Sequence, residues 1–359
     1  MSLKNNIIIR NKKYGPGKVM VVAEMSCNHN GSLKNAIKII QEAKKAGADA
    51  VKLQTFKPES ITLNSNKSDF NLNHVSVSKW KKFNTFYKIY KKTQTPWEWH
   101  KRLFMEGKKI GILIFSSPFD ENAVDFLEKL NCPIYKIASP EISHIPLIAK
   151  VAKTNKPIFI STGLASKKDI ELAIKTVKKN GKSKIVLMKC NSAYPAPEDE
   201  ANLLNIEYFK SKYDLFVGLS DHTTNNFSSL IATAMGSTAI EKHVKLNNDN
   251  KSIDAFFSTK FKDLKKMILD IRRAEIVMGD FDYKISEKSK RNLKSRRSIY
   301  VSKKMKKGQI ISKNDIQIVR PGYGLHPKYF NKIVGKRILR DTDFGERLKK
   351  NMVKSFHAK

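Results

Sequence analysis

Two histidines set the first chemical question. His222 lies in "SDHT" (residues 220–223) behind an apolar run, and His243 in "EKHV" (241–244) behind the next. A neutral imidazole nitrogen is a common ligand for a divalent cation. If the two runs are neighbouring strands of a closed barrel, both rings can face one mouth and share an ion; otherwise they are unrelated imidazoles that end buried strands. Lys52 and Lys136 raise a second question, because each interrupts an apolar run, "AVKLQT" and "YKIAS". A buried ammonium is expensive without an anion beside it. That anion is either a bound phosphate or carboxylate, or Glu24 or Glu241 within the protein; the two readings are compatible in an unliganded protein.

The elements that would position these groups recur regularly. Eight strand-like runs, at 19–24, 50–55, 112–118, 135–139, 157–162, 185–190, 216–221 and 239–244, alternate with stretches of helical period. This is the βαβα signature of a parallel sheet, and eight such units over about 250 residues match a (β/α)8 TIM barrel. Ser32 and Gly47 bracket the first helix as N-cap and stop. Polar residues gather at the run ends: Glu24, Gln54 beside Lys52, Ser116 and Ser117, Ser139, Ser161 and Thr162, Lys189 with Ser192 and Tyr194, Ser220 with Asp221, and Glu241. One such residue is ordinarily a helix cap; eight strand ends converging on one mouth make a site. His29, in "CNHNG", is either a further site group or a loop residue capping backbone. His74, His100, His144 and His357 read as surface or packing residues. Residues 56–98 are longer than a simple connection and predict an insertion over the barrel mouth, with a helical "WKKFNTFYKIYKKT".

Residues 1–282 are assigned to the barrel, 283–297 to a polar linker and 298–359 to a small second domain, too short to bury much core unaided. The net charge of +36 first suggests nucleic acid, but lysines are spread along the helical stretches with no aromatic-interleaved basic tract. A lysine-rich background is the better reading. Cys27, Cys132 and Cys190 show no paired spacing and read as buried, reduced thiols. The opening segment lacks a signal-like apolar run, and no run is long enough to cross a membrane, so a cytoplasmic protein is expected.

The segments "AEMSCNHNGS", "AGADAVKLQTF", "FSSPF", "YKIAS", "ISTG", "GLSDHT" and "EKHV" resemble, in order, the barrel motifs of the sialic acid synthases. That family uses phosphoenolpyruvate to make nine-carbon 2-keto sugar acids. The C-terminal unit is similar to its antifreeze-like (SAF) domain, with "RPGYGLHP" at the family's RPG segment. "SITLNSNKSDF", "TPWEWH" and "YKIASPE" are most like the branch acting on 2,4-diacetamido-2,4,6-trideoxy-L-altrose.

The resemblance implies that His222 and His243 hold Mn2+ or Mg2+ and that Glu24, beside the metal and sugar, is the acid/base. It further implies that Lys52, Lys136, Ser139, Ser161 and Ser220 bind phosphoenolpyruvate, with Gln54 and Ser117 in the same pocket. Tyr194 and Asp254 fall near the sugar. Arg320, in "VRPG", matches an arginine delivered from the partner subunit's SAF domain, implying a domain-swapped homodimer. The family's sialic-acid members carry asparagine where "KCNSAYP" places Ser192, with Asn191 just before it, so both are candidate substrate contacts. A synthase acting on another aminosugar is the alternative within this chemistry. A non-catalytic sugar-binding or nucleic-acid-binding module on a barrel scaffold is the alternative outside it; of the enzyme, no nucleic-acid or membrane partner is expected.

Overall fold

The structure, a computed structural model, describes residues 6–75, 77–279 and 282–356. The chain divides into two compact units, Met1–Gly279 and Asp280–Lys359. His357, read from sequence as a surface or packing residue, lies outside the described residues.

Eight strands build the first unit: β1 (Met20–Glu24), β2 (Ala50–Thr55), β3 (Leu113–Pro118), β4 (Tyr135–Ile137), β5 (Ile158–Ser161), β6 (Ile185–Cys190), β7 (Phe216–Asp221) and β8 (Ala239–Lys245). Each pairs in parallel with the next, and β8 closes back on β1, with His243 opposite Glu24. Strands covered by helices on one face and packed inside the barrel on the other must be apolar nearly throughout. Met20 to Ala23 and Ile158 to Ile160 are accordingly buried without exception. Register then levels the polar ends: Glu24 pairs with Lys52, Gln54 with Ser117, Glu241 with Ser220 and Cys190 with Ser220.

The first helix, Leu33–Ala46, has the expected ends. Ser32 accepts from the Asn35 amide, and Gly47 takes the left-handed conformation (φ 94°) that closes the last turn. The insertion departs from expectation: "WKKFNTFYKIYKKT" is two helices, Ser78–Lys81 and Phe86–Thr93, not one. Asn84 breaks it at φ 64°, and Thr85 then caps the second helix by accepting from Lys88. The fourth strand is shorter than predicted, because Pro140 starts a 3-10 turn over Ser139–Ser143. A hairpin of Ile7–Ile9 and Lys12–Tyr14, which the sequence reading passed over, adds Ile7, Ile9 and Tyr14 to the barrel core.

In the second unit Ser298–Val301 pairs antiparallel with Ile316–Val319. Sequence length suggested a dependent core, yet Ile299, Val301, Ile311, Ile316, Ile333, Ile338 and Leu348 pack into a buried cluster of the unit's own. The stretch read as linker contains helical turns at Glu287–Lys290 and Arg291–Ser295, and Lys294 accepts from Gly322 in the RPG segment.

Candidate active site

Four charged side chains meet at the C-terminal mouth of the barrel. Lys52 Nζ lies 2.6 Å from Glu24 Oε2 and 3.7 Å from Glu241 Oε1. Lys136 Nζ lies 2.7 Å from Glu241 Oε1. Both ammoniums also donate to hydroxyls, Lys52 to Ser117 (3.1 Å) and Lys136 to Ser220 (3.0 Å), which in turn shares a hydrogen bond with Ser161 (2.9 Å). All four charges are buried. Two positive and two negative groups satisfy one another, and this is the internal ion pairing that the sequence allowed.

Burial and pairing pull each group in a definite direction. Burial opposes the Lys52 ammonium, but Glu24 and Glu241 outweigh it and raise its pKa. At Lys136 burial wins, reinforced by Lys52, and the pKa falls. Burial raises Glu24 despite Lys52 beside it. Burial also acts to raise Glu241, but two ammoniums reverse the effect and hold it low. Glu241 is therefore the firm carboxylate of the set.

A cavity of about 270 Å³ opens onto this tetrad. Lys52, Gln54, Lys136, Ser139, Ser161, Tyr194, Ser220, His222, His243 and Asp254 all line it, as does Glu241. Ser26, with its Oγ donating 2.5 Å to Asp254, joins them. Phe56, Leu72, Trp80, Phe86 and Tyr90 of the insertion form the apolar side, as expected of a segment laid over the mouth. Glu24 is not in the lining: it is 0 % exposed, behind Lys52, which draws its carboxylate inward. Ser117 and Ser192 are likewise outside the lining; Ser117 supports Lys52 instead.

The loop after β5 shows why glycine stands at 163. Its amide donates to Ser139 Oγ (3.0 Å), and a Cβ there would collide with Ser192 Oγ and come within 2.9 Å of Ser139 Oγ. Asn191 and Ser192 have separate tasks. The Asn191 side chain donates to Glu200, while its carbonyl accepts from His222 Nδ1 at 2.6 Å.

That bond keeps a proton on His222 Nδ1 and leaves Nε2 as the nitrogen that a metal would take. The His243 ring lies 5.2 Å from the His222 ring, centroid to centroid. Its Nδ1 is buried and has no hydrogen-bond partner among the described residues. Burial, then His222 and the nearby lysines, push its pKa well down, so the ring is neutral. Burial opposes a charged His222, but Cys190 and the Asn191 carbonyl raise its pKa, so a divalent cation would displace the Nε2 proton there and meet an already neutral His243. No third His, Cys, Asp or Glu joins them in a metal-holding group among the described residues, so further positions would fall to water or substrate. Tyr194 packs on His222 (4.5 Å) and Phe257 on His243 (4.9 Å), shielding the pair from solvent.

The remaining candidates separate. His29 is a loop histidine: its Nδ1 accepts from the Gly31 amide, and burial, then His100, lower its pKa to about 4. His100 is buried and bonded to Thr55. Asp221 is taken by Lys242 (2.8 Å). The three cysteines are free and buried. Arg320 is exposed in the second unit, next to the cis Arg320–Pro321 bond. Sequence reasoning missed Glu141, two residues beyond Ser139. Its Oε2 is buried without a hydrogen-bond partner among the described residues, and burial raises the carboxyl to about 7 against the pull of Lys52. Glu241, which the sequence placed among the strand-end polar residues and as a possible ion-pair partner, shares one face of "AIEKHV" with His243 through strand alternation.

A (β/α)8 barrel whose strand ends carry two lysines, two carboxylates, a row of serines and two histidines has the build of an enzyme for an anionic substrate. The comparisons specify which. The model of the NeuB family matches residues 39–283 and that of the SAF domain residues 296–354, and the chain belongs to the NeuB family. It is 40% identical to a pseudaminic acid synthase of Campylobacter jejuni, over 93% of this chain and 96% of that protein. It is 35% identical to an N,N'-diacetyllegionaminic acid synthase of the same species, over 89% and 95%. Among solved structures, the N-acetylneuraminic acid synthetase of Leptospira borgpetersenii in complex with citrate is 29% identical. It superposes with a TM-score of 0.70, covering 80% of this chain and 95% of that one.

Proposed function

We propose that the protein is a pseudaminic acid synthase, condensing phosphoenolpyruvate with 2,4-diacetamido-2,4,6-trideoxy-L-altrose to give pseudaminic acid and phosphate. In this reaction C3 of phosphoenolpyruvate bonds to the aldehyde carbon of the open-chain sugar. Water adds at C2, and the C–O bond to phosphate breaks. The observation that carries the reading is the cavity in which Lys52 and Lys136, three serine hydroxyls and two imidazoles face one another.

The chain's own residues divide the work. Lys52 and Lys136 hold the phosphate and carboxylate of phosphoenolpyruvate, which takes over the place of Glu241 beside their ammoniums. Ser161 and Ser220, already bonded to each other and to Lys136, add hydroxyl donors. Ser139, held by the Gly163 amide, adds a third. Gln54, Tyr194 and Asp254 line the sugar's part of the cavity, and Trp80, Tyr194 and Phe257 keep bulk water away from it. Glu24 orients Lys52 and is positioned to exchange a proton with the cavity through Lys52 or a water. His222 and His243 would hold Mn2+ or Mg2+, which when bound supplies Lewis-acid polarisation of the aldehyde oxygen.

We further infer a cytoplasmic homodimer in which Arg320 completes the partner's barrel; the resemblance of the "VRPG" segment to that of the sialic acid synthases' SAF domain supports the role of Arg320. No described helix is long and apolar enough to cross a membrane. The acceptor is tested by phosphate release with 2,4-diacetamido-2,4,6-trideoxy-L-altrose, N-acetylmannosamine and the 2,4-diacetamido sugar precursor of legionaminate, each at saturating phosphoenolpyruvate. Preference for the first by at least about tenfold in kcat/KM is expected. Preference for either other sugar keeps the chemistry and replaces the substrate.

A further inference from the structure

A second groove, of about 430 Å³, adjoins the substrate cavity and shares Ile253 with it. The same two segments wall both. In the stretch after β8, Asp254 and Phe257 line the substrate cavity, while Ser252, Ala255 and Phe256 line the groove. In the insertion, Trp80 lines the cavity and its neighbours Lys79 and Lys82 line the groove.

Four lysines, Lys79, Lys82, Lys245 and Lys251, face this groove, and no carboxylate does. Lysine is abundant everywhere in this chain, so number alone means little. What distinguishes the groove is Lys245, the last residue of β8. Its stem is buried, leaving the residue only 8 % exposed, and its ammonium emerges at the groove, where it makes no ion pair or hydrogen bond among the described residues. Every other lysine buried in the barrel strands, at 52, 136 and 242, touches a carboxylate. The carboxylate acting on Lys245, Asp249, is spent on its own turn, accepting from the Lys251 and Ser252 amides at 3.0 Å. Lys260, the register partner of Lys245, adds a like charge. Lys79 is held against the Phe256 ring, 4.6 Å from its centroid, which aims its charge at the same space. An ammonium that its buried stem holds among like charges, with no carboxylate in the lining, is one that an anion would stabilise.

We propose that this groove binds a small phosphate-type dianion, which bridges Lys79 and Lys82 of the insertion to Lys245 and Lys251 of the β8 loop. The bound anion cancels the repulsion between the two segments and holds them together as a wall of the substrate cavity. Two sources share this chemistry, released orthophosphate and the phosphate group of phosphoenolpyruvate. The proposal concerns binding, so its test does not depend on the acceptor assigned above or on turnover.

The test is calorimetric titration of the full chain with orthophosphate, and separately with phosphoenolpyruvate, at constant ionic strength in chloride. The expected result is two equivalents per chain for orthophosphate. Lys245→Met, which keeps the buried stem, should lose one equivalent or weaken it at least tenfold while the other is unchanged. Lys82→Gln, at an exposed site, should weaken the same equivalent and guards against misfolding of the first variant. A second equivalent with both anions assigns the groove to phosphate groups in general; with orthophosphate alone, to the released product. One equivalent in the parent, or two undiminished equivalents in both folded variants, would overturn the proposal.

Discussion

At the scale of single residues, the site is a set of buried charges that satisfy each other until substrate arrives. Removing one partner therefore costs stability as well as activity. Glu24→Gln leaves the Lys52 ammonium with only Glu241, 3.7 Å away. Loss of about 3 kcal/mol in denaturant unfolding is expected, together with a fall in kcat of about a hundredfold or more; parental kcat in a folded variant would remove Glu24 from the mechanism. Lys136→Met should raise KM for phosphoenolpyruvate at least about tenfold, with a smaller effect on the sugar, as one charge-assisted contact to phosphate is lost. Glu141 gives a pH signature. Its folded carboxyl titrates near 7, above the ordinary carboxylate range, so the fold retains its proton better than the unfolded chain does. Stability from this group is present at low pH and is lost as pH rises from the ordinary carboxylate value through about 7. Glu141→Gln should melt about 5 °C above the parent at pH 8 and at nearly the same temperature at pH 4. Equal differences at both pH values would contradict the shift.

At the scale of elements, the strand ends place chemistry where a loop must approach closely. Gly163 illustrates this, since any side chain enters the space of Ser139 and Ser192. Gly163→Ala is expected to displace Ser139, costing about 1–3 kcal/mol of stability and most phosphoenolpyruvate affinity; unchanged binding by calorimetry would show that the loop adapts. This is also the scale at which the sequence was most legible. Runs such as "AVKLQT" and "YKIAS", alternating with helical stretches, read as doubly buried strands, and the lysines inside them announce a site. The two-histidine arrangement followed from the closure of β8 on β1 beside β7. Less legible were contacts set by loop geometry. The Asn191 carbonyl that orients His222 is backbone and leaves no trace in residue type. The shielding by Trp80 and Phe257 depends on folding of two long loops. Glu24 carries the right chemistry for an acid/base, but the nearer pull of Lys52 turns it away from the cavity.

At the scale of the whole molecule, Arg320 lies in a different unit from the site it is proposed to serve. A mixing experiment tests the cross-subunit arrangement. Arg320→Ala and Glu24→Gln should each be nearly inactive; mixed by co-refolding or co-expression, they should recover about a quarter of parental activity, because half the dimers then hold one intact site of two. No recovery, with mixed dimers shown to form, would show that Arg320 does not serve the partner's barrel. The measurement that bears most directly on the central claim is phosphate release from phosphoenolpyruvate under three conditions: with 2,4-diacetamido-2,4,6-trideoxy-L-altrose and Mn2+, with the sugar and EDTA, and with Mn2+ but no sugar. Phosphate in the first condition alone is the predicted result. Phosphate released without sugar, or at the same rate in EDTA, would contradict a metal-dependent condensation at the paired lysines and histidines.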